Sequence, residues 1–374
     1  MLLYRQGRLE EAGRLLIRNN PLTAVTSQVC DWKQFCYGHC VLNVKQNPVR
    51  WYEIEQEISA AYLSTHRLER QSLELTGNRI AIVGAGPAGI AAAFWLYEAG
   101  AEVVMYDANP RMGGVLRYGI PAFRLDKKYC DAYEKMLADA GVEFQGGVHL
   151  GKDLSLEELS VSFDAVLLAA GAEKPATLRI PGEEKAVQAL HFLKDPSAYK
   201  LGKKVIVIGG GNVAMDACRT AVRLGAETWV YYRKTFENMP ANPLEVEEAK
   251  ADGVRFKVFQ APVEVKEGGV VFRDCESVVP EDGGRVVTRI IEGTDHFVEC
   301  DTLLTAISEK PDFKLFGDAP VVFNEWGWPV LSEGQKVEGL RNVWVAGDFC
   351  LGPKTVVEAV GSARTAVDDM MKNL

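Results

Sequence analysis

Twice in 374 residues the chain runs a short apolar segment straight into a glycine-rich turn and then into a helix of small residues. Arg79 to Val83 (RIAIV) is followed at once by GAGPAG, and Lys203 to Ile208 (KKVIVI) by GGGNVA. A second apolar run follows each helix, at Val103 to Tyr106 and at Thr228 to Tyr232. Strand, turn, helix and parallel strand make a βαβ unit, so two openings 125 residues apart predict two mononucleotide-type folds on parallel sheets.

A lone G-x-G-x-x-G carries little weight, and context supplies the rest. In the first unit Gly84 permits the tight turn, Gly86 lets backbone approach a pyrophosphate, and Gly89 allows close packing of helix on strand. Ala85, Pro87 and Ala88 complete the loop, whose helix presents free N–H groups and a positive dipole end to the anion. Asp107 ends the next strand 23 residues after Gly84, where a carboxylate accepts hydrogen bonds from ribose hydroxyls. The second cradle uses Gly209, Gly211, Asn212 and Val213, with Ala214 at the third small position. Its following strand runs into Arg233 and Lys234 instead of an acid. A guanidinium there grips a 2′-phosphate with a fork of donors, which favours NADP(H) over NAD(H). A basic pair on a solvated loop is the competing reading.

The remaining sequence bounds the answer. Net charge is −9 with no long basic run, which argues against nucleic acid and anionic membranes as partners. The longest apolar stretches, Gly89 to Leu96 and Ala165 to Ala172, are too short to span a bilayer, so no membrane insertion is expected. Arg5, Arg8, Glu10 and Glu11 stand where a secretory signal needs an apolar run, and the chain reads as cytoplasmic. Helical spacing runs from Leu9 to about Leu63, and Ser64 to Asn78 has the polar texture of an exposed connection. Alternation between Gly253 and Cys300, with turns at EGG and EDGG, reads as antiparallel strands, and buried strands return at Asp301 to Ile307 and Asn342 to Ala346. The predicted class is α/β, with two Rossmann-like three-layer domains and a small helical N-terminal domain. The expected boundaries are 1–76 (helical, with a cysteine loop), 77–182 and 301–374 (first nucleotide domain), and 183–300 (inserted second domain).

From Arg79 onward the sequence resembles the FAD- and NADPH-dependent small subunit of bacterial glutamate synthase and its relatives. These include the N-terminal portion of dihydropyrimidine dehydrogenase and the large subunit of NADH-dependent ferredoxin:NADP oxidoreductase. The stretches that carry the resemblance are IAIVGAGPAGIAAAFWLYEAGAEVVMYD, GGVLRYGIPAFRLDK, VIVIGGGNVAMDACRTAVRLGA, YYRKTFENMPA, NVWVAGD and TVVEA, with a partial match before Arg79. The resemblance implies that the first unit binds FAD, that the inserted unit binds NADP(H), and that the C-terminal segment completes the FAD domain. It places Gly114, Val115 and Arg124 near the flavin nucleotide, and Gly347 and Asp348 of VAGD near its ribityl–pyrophosphate part. Thr355 and Val356 open the last helix, whose positive end faces charge developing on reduced flavin. For Arg124 and Thr355 a surface cation and a helix cap are the plainer readings. One departure stands out: Ala306-Ile307-Ser308-Glu309 occupies a place where relatives commonly show Ala-Ile-Gly-Gln, close to where the two cofactors meet.

Hydride transfer between nicotinamide and flavin needs stacking and orientation, so no catalytic side chain is expected. Neither nucleotide unit contains C-x-x-C, which argues against a disulfide reductase. Cys30-x5-Cys36-x3-Cys40 is the candidate metal region, because thiolates bind iron–sulfur clusters. The resemblance makes Cys30 and Cys36 ligands of one [4Fe–4S] cluster and Cys40 of another, with Gln56 where some relatives use a non-cysteine ligand; no cysteine precedes Cys30. Three outcomes stay open: one cluster with an unusual ligand, clusters completed across a subunit interface, or a relic without metal. The implied function is a flavoprotein that exchanges hydride between NADP(H) and FAD and relays electrons to a larger redox subunit or a ferredoxin-like carrier. A ferredoxin:NADP oxidoreductase component of an electron-bifurcating complex is the alternative, and a non-catalytic docking subunit the rival from another class.

Overall fold

Each apolar run beside a glycine turn becomes a strand buried on both faces, as parallel strands under helices must be. The computed structural model describes residues 1–278 and 287–374. By internal contacts the chain divides into two units. The first comprises Met1–Arg117, Ala122–Lys174 and Lys310–Leu374, and the second Tyr118–Pro121 with Pro175–Glu309.

The first unit begins with helices α1 (Leu9–Asn19), α2 (Thr23–Val29) and α3 (Trp51–Thr65). They fasten to one another closely: a β-carbon on Gly13 of α1 would lie 2.6 Å from the Tyr62 ring of α3. Next come β1 (Arg79–Val83), α4 (Pro87–Glu98), β2 (Glu102–Asp107), α5 (Lys128–Ala140), β3 (Glu143–Gly146) and β4 (Ala165–Leu168). Helix α4 (PAGIAAAFWLYE) is apolar on nearly every side because it is buried on nearly every side. The N-terminal helices pack onto this unit instead of standing apart, with Trp95 Nε1 of α4 donating to the Arg18 carbonyl at 3.1 Å. The Ser64 to Asn78 connection is pinned as well, since Gln71 and Ser72 N–H both donate to the Glu98 carbonyl.

The second unit holds β5 (Val187–Gln188), β6 (Lys204–Ile208), α6 (Asn212–Arg223), β7 (Glu227–Tyr232), α7 (Pro243–Ala251) and β8 (Arg255–Val258). Strands β9 (Gln260–Lys266), β10 (Gly269–Val278), β11 (Val287–Ile290) and β12 (His296–Glu299) follow as the expected antiparallel sheet; the EDGG turn at 281–284 lies outside the described residues. Then β13 (Thr302–Thr305) joins the parallel sheet, whose order is β5-β13-β6-β7-β8. The boundary expected at 300/301 therefore differs from the observed one. An apolar run announces a strand but not its partner, and β13 pairs with β6 in register Leu303 to Ile206.

The chain re-enters the first unit to add β14 (Val343–Val345) and helix α8 (Val356–Asn373). The first sheet then reads β14-β4-β1-β2-β3, all parallel. Asn342 holds β14 at this edge by donating to the Ser160 and Phe163 carbonyls, and α8 packs along α4. Among the described residues no helix is long and apolar enough to cross a membrane.

Candidate nucleotide-binding sites

In both parallel sheets the chain order reverses beside the strand that precedes a glycine turn, between β1 and β4 and between β6 and β13. Open α/β sheets bind ligands at the carboxyl ends of strands flanking such a reversal. Gly84 lies at φ +104, and a β-carbon there would overlap the carbonyl oxygen of Ala169, just beyond β4. Gly209 lies at φ +145, and its β-carbon would overlap the carbonyl oxygen of Ala306, just beyond β13. The two turns are thus the same device built twice. Glycine is the residue that adopts this backbone without strain while lying against a neighbouring main chain.

The second fingerprint glycine of each turn, Gly86 or Gly211, is not crowded in this way. A β-carbon on Gly86 meets only Gly114 Cα at 3.8 Å, and one on Gly211 only Pro240 Cγ at 3.9 Å. Pro87 and Asn212 open 12-residue helices directly behind these glycines, and helix N-termini of this kind favour anions. Gly113 N–H donates to the Ala85 carbonyl at 2.8 Å, so the Gly113-Gly114 turn, followed by Val115, closes over the first cradle. In the second cradle the Asn212 side chain accepts the Asn242 N–H at 2.9 Å, and Gly210 accepts the Ala241 N–H at 2.9 Å. Val213 is packed against the core of that unit.

The strand ends differ. Asp107 is 8% exposed; one carboxylate oxygen accepts the Ala85 N–H at 2.7 Å and the other the Asn109 N–H at 2.7 Å and its side-chain amide at 3.0 Å. The acid expected at a ribose thus also braces the loop. Counting 23 residues from Gly209 gives Tyr232, whose ring lies 2.7 Å from where a Gly210 β-carbon would be. Its hydroxyl donates to the Asn238 carbonyl at 2.8 Å. Sequence reading missed Tyr232, although laying the two cradles over each other exposes it. Arg233 is exposed and Lys234 half-buried, and among the described residues neither makes an ion pair with a carboxylate.

The C-terminal part of the first unit brings Gly347, Asp348 and Thr355 to one end of α8. Gly347 N–H donates to Ser362 Oγ at 2.9 Å, and Asp348 Oδ1 accepts the Lys354 N–H at 3.2 Å. Burial pushes the Asp348 carboxyl up to about 6, although the Lys354 N–H favours its charged form. Thr355 caps α8, accepting the Glu358 N–H at 3.2 Å while its own N–H and hydroxyl donate to the Glu358 carboxylate at 2.9 and 2.7 Å. Val356 is the first helical residue. Glu358 was unremarked in the sequence, yet T-x-x-E is a readable capping signal. Arg124 is half-buried in the same unit.

The cysteines behave differently from a single ligand set. Burial, and then the charge of Cys36, pushes the Cys30 thiol up to about 11. Cys40 Sγ instead accepts the Val49 N–H at 3.4 Å, and such donors pull its thiol down. Gln56 Nε2 donates to the Ser27 carbonyl at 3.0 Å, and His39 Nδ1 lies 3.2 Å from the Phe35 carbonyl. Among the described residues no three His, Cys, Asp or Glu side chains come together as a metal site. The loop's own donors fall short of the four thiolates a [4Fe–4S] cluster takes. Cys130 and Cys218 are buried singly, their thiols pushed up by desolvation.

Residues 78–363 match the profile described as pyridine nucleotide-disulphide oxidoreductase. The chain belongs to that family. Residues 2–66 match a second profile, dihydropyrimidine dehydrogenase domain II, 4Fe-4S cluster. This oxidoreductase is 32% identical to the glutamate synthase [NADPH] small chain of Escherichia coli (strain K12), over 99% of its own length and 84% of the relative's. It is 33% identical to that of Azospirillum brasilense, over 98% and 81%. Identity to the NADPH-Fe(3+) oxidoreductase subunit beta of Geobacter sulfurreducens is 30%, over 97% of this chain and 59% of that one. The fold resembles FprA of Mycobacterium tuberculosis in complex with NADPH (TM-score 0.66, 21% identity, 79% of this chain and 84% of that one). It also resembles T. acidophilum thioredoxin reductase (TM-score 0.61, 18% identity, 79% and 99%). The oxidoreductase is therefore of the glutamate synthase small-chain type, and the cofactors of its family are FAD and NAD(P)(H).

Proposed function

We propose that the first unit binds FAD, that the second binds NADP(H) in preference to NAD(H), and that the chain passes the electrons it collects to a partner redox protein. One observation carries the assignment: two equivalent cradles whose strand ends carry opposite charge, Asp107 in the first and Arg233 with Lys234 in the second. A carboxylate suits ribose hydroxyls and repels a phosphate, whereas the Arg233 guanidinium, which among the described residues pairs with no carboxylate, suits the 2′-phosphate. Bound together, the two cofactors supply a hydride donor and a two-electron acceptor.

The chain's own residues hold and orient them. Backbone N–H groups of Gly86 and Ala88, flanking Pro87, face one pyrophosphate and those of Gly211, Asn212 and Val213 the other, each at the positive end of a long helix. Gly114 and Val115 close over the first cradle, and Arg124 offers charge to a flavin phosphate. Gly347 and Asp348 face the ribityl–pyrophosphate part, while Thr355 and Val356 present the positive end of α8 to charge on the ring. A partner as electron acceptor is supported by the relatives, which are named as a small chain and a beta subunit.

Anaerobic titration of the purified chain with NADPH tests the assignment. The expected result is a yellow protein whose flavin absorbance bleaches with one equivalent of NADPH and less readily with NADH. A chain that takes up no FAD, or whose flavin NADPH leaves oxidised, overturns it.

A further inference from the structure

The backbone at Ser308 has the conformation of a glycine, at φ +121. Bulkier residues avoid this region because the β-carbon crowds the neighbouring carbonyls, and such outliers gather where function fixes the chain. The conformation is held from outside the residue, by an Ala176 N–H donated to the Ser308 carbonyl at 3.0 Å. The Ser308 side chain is exposed, and among the described residues its hydroxyl makes one long bond, 3.4 Å, to the carbonyl of the next residue.

The position has a defined relation to the second cradle. Ser308 lies three residues past the end of β13, and Ala306, between them, is the residue whose carbonyl Gly209 packs against. Across the sheet edge the order is β13, β6, β7. With the 2′-phosphate at Arg233 beyond β7 and the pyrophosphate at the turn after β6, the rest of the dinucleotide extends over the end of β13. That remainder is the nicotinamide ribose and its ring, rich in hydroxyl and amide groups.

We propose that Ser308 is a positioning residue for the nicotinamide half of the bound dinucleotide, its hydroxyl exchanging the long local bond for one to the ribose or carboxamide. The inference rests on the assignment of NADP(H) to the second unit.

The test compares Ser308→Ala, which removes the hydroxyl and keeps the β-carbon, with Ser308→Gly, which removes both. FAD-loaded protein is titrated with NADP+ and separately with 2′,5′-ADP, which lacks the nicotinamide half, and KM and kcat for NADPH are measured with ferricyanide. Both variants are expected to retain FAD and to bind NADP+ about two- to tenfold more weakly, the loss of one hydrogen bond. KM for NADPH should rise in step while 2′,5′-ADP affinity stays at the parental value, and Ser308→Gly alone should raise Tm. Unchanged NADP+ affinity in Ser308→Ala, or equal weakening of both ligands, overturns the role given to Ser308. A parent protein that binds neither ligand overturns the NADP(H) assignment itself.

Discussion

The first and second cradles share a backbone and part company at one strand end. In each, the leading glycine turns against the residue just past a neighbouring strand, Ala169 or Ala306, while the fingerprint's second glycine, Gly86 or Gly211, is uncrowded. The first cradle then spends an acid, Asp107, on its own loop N–H groups, whereas the second puts the ring of Tyr232 there, followed by the exposed Arg233 and the half-buried Lys234. On the proposed assignment both cradles take an anion, and the residues at one strand terminus set which nucleotide each suits. The third position differs more quietly. A β-carbon on Gly89 would overlap the Gly84 carbonyl, yet the equivalent Ala214 fits, fully buried, in the second core.

The largest expected effect separates the two cradles outright. Gly84→Ala combines a left-handed backbone with an overlap on main chain, and should cost more than about 3 kcal/mol and abolish flavin retention, read as flavin absorbance per chain. Gly209→Ala should leave the flavin in place and remove its response to NADPH. If the Gly209 variant loses flavin and keeps nicotinamide binding, the cradles are assigned the wrong way round.

Asp348 sharpens what the first unit asks of its acids. Its carboxyl is raised from 3.8 to about 6 by burial, so in flavin-free protein the contribution is full below pH 4 and is lost as pH rises toward 6. Flavin-free Asp348→Asn should thus be more stable than the parent at pH 7.5, by on the order of 2 kcal/mol, and no more stable at pH 3.5. Thermal unfolding against pH reads this directly; a parental curve flat between pH 4 and 6 would show that Asp348 sits in a solvated place.

Arg233→Ala addresses the exposed cation past the second cradle's strand. The ratio of kcat/KM for NADPH over NADH should fall about ten- to a hundredfold, the scale of a charge-assisted pair, with NADH itself unaffected. An unchanged ratio would return Arg233 to the status of a solvated surface residue. Smallest is Ala214→Gly, expected to cost about 1 kcal/mol of helix propensity without altering either nucleotide, so that a changed NADP+ affinity would show the third position touching ligand.

Much of this was legible because it is local. Buried parallel strands are continuous apolar runs, so RIAIV and KVIVI announce themselves, and the turns that follow can be read from glycine spacing alone. Partner choice is not local. The run at Thr302–Thr305 looks equally suited to either sheet, and only its register against β6 puts it in the second unit. The Ser64 to Asn78 segment has the polarity of a free connection but is tied to the end of α4, because backbone donors do not show in side-chain composition. Cysteine spacing likewise gives no direction: the Cys40 sulfur accepts the Val49 N–H, a bond that the C-x5-C-x3-C pattern does not announce.

The interrupted first unit imposes an order of events during synthesis. Its sheet lacks β14 and its central helix lacks α8 until residues 343–373 have been made. By then 175–309 have emerged in one uninterrupted stretch, with every strand of the second parallel sheet among them. Domains fold as units when their chain is available. A nascent chain therefore has every strand of the second parallel sheet in hand before β14 and α8 arrive to complete the first sheet.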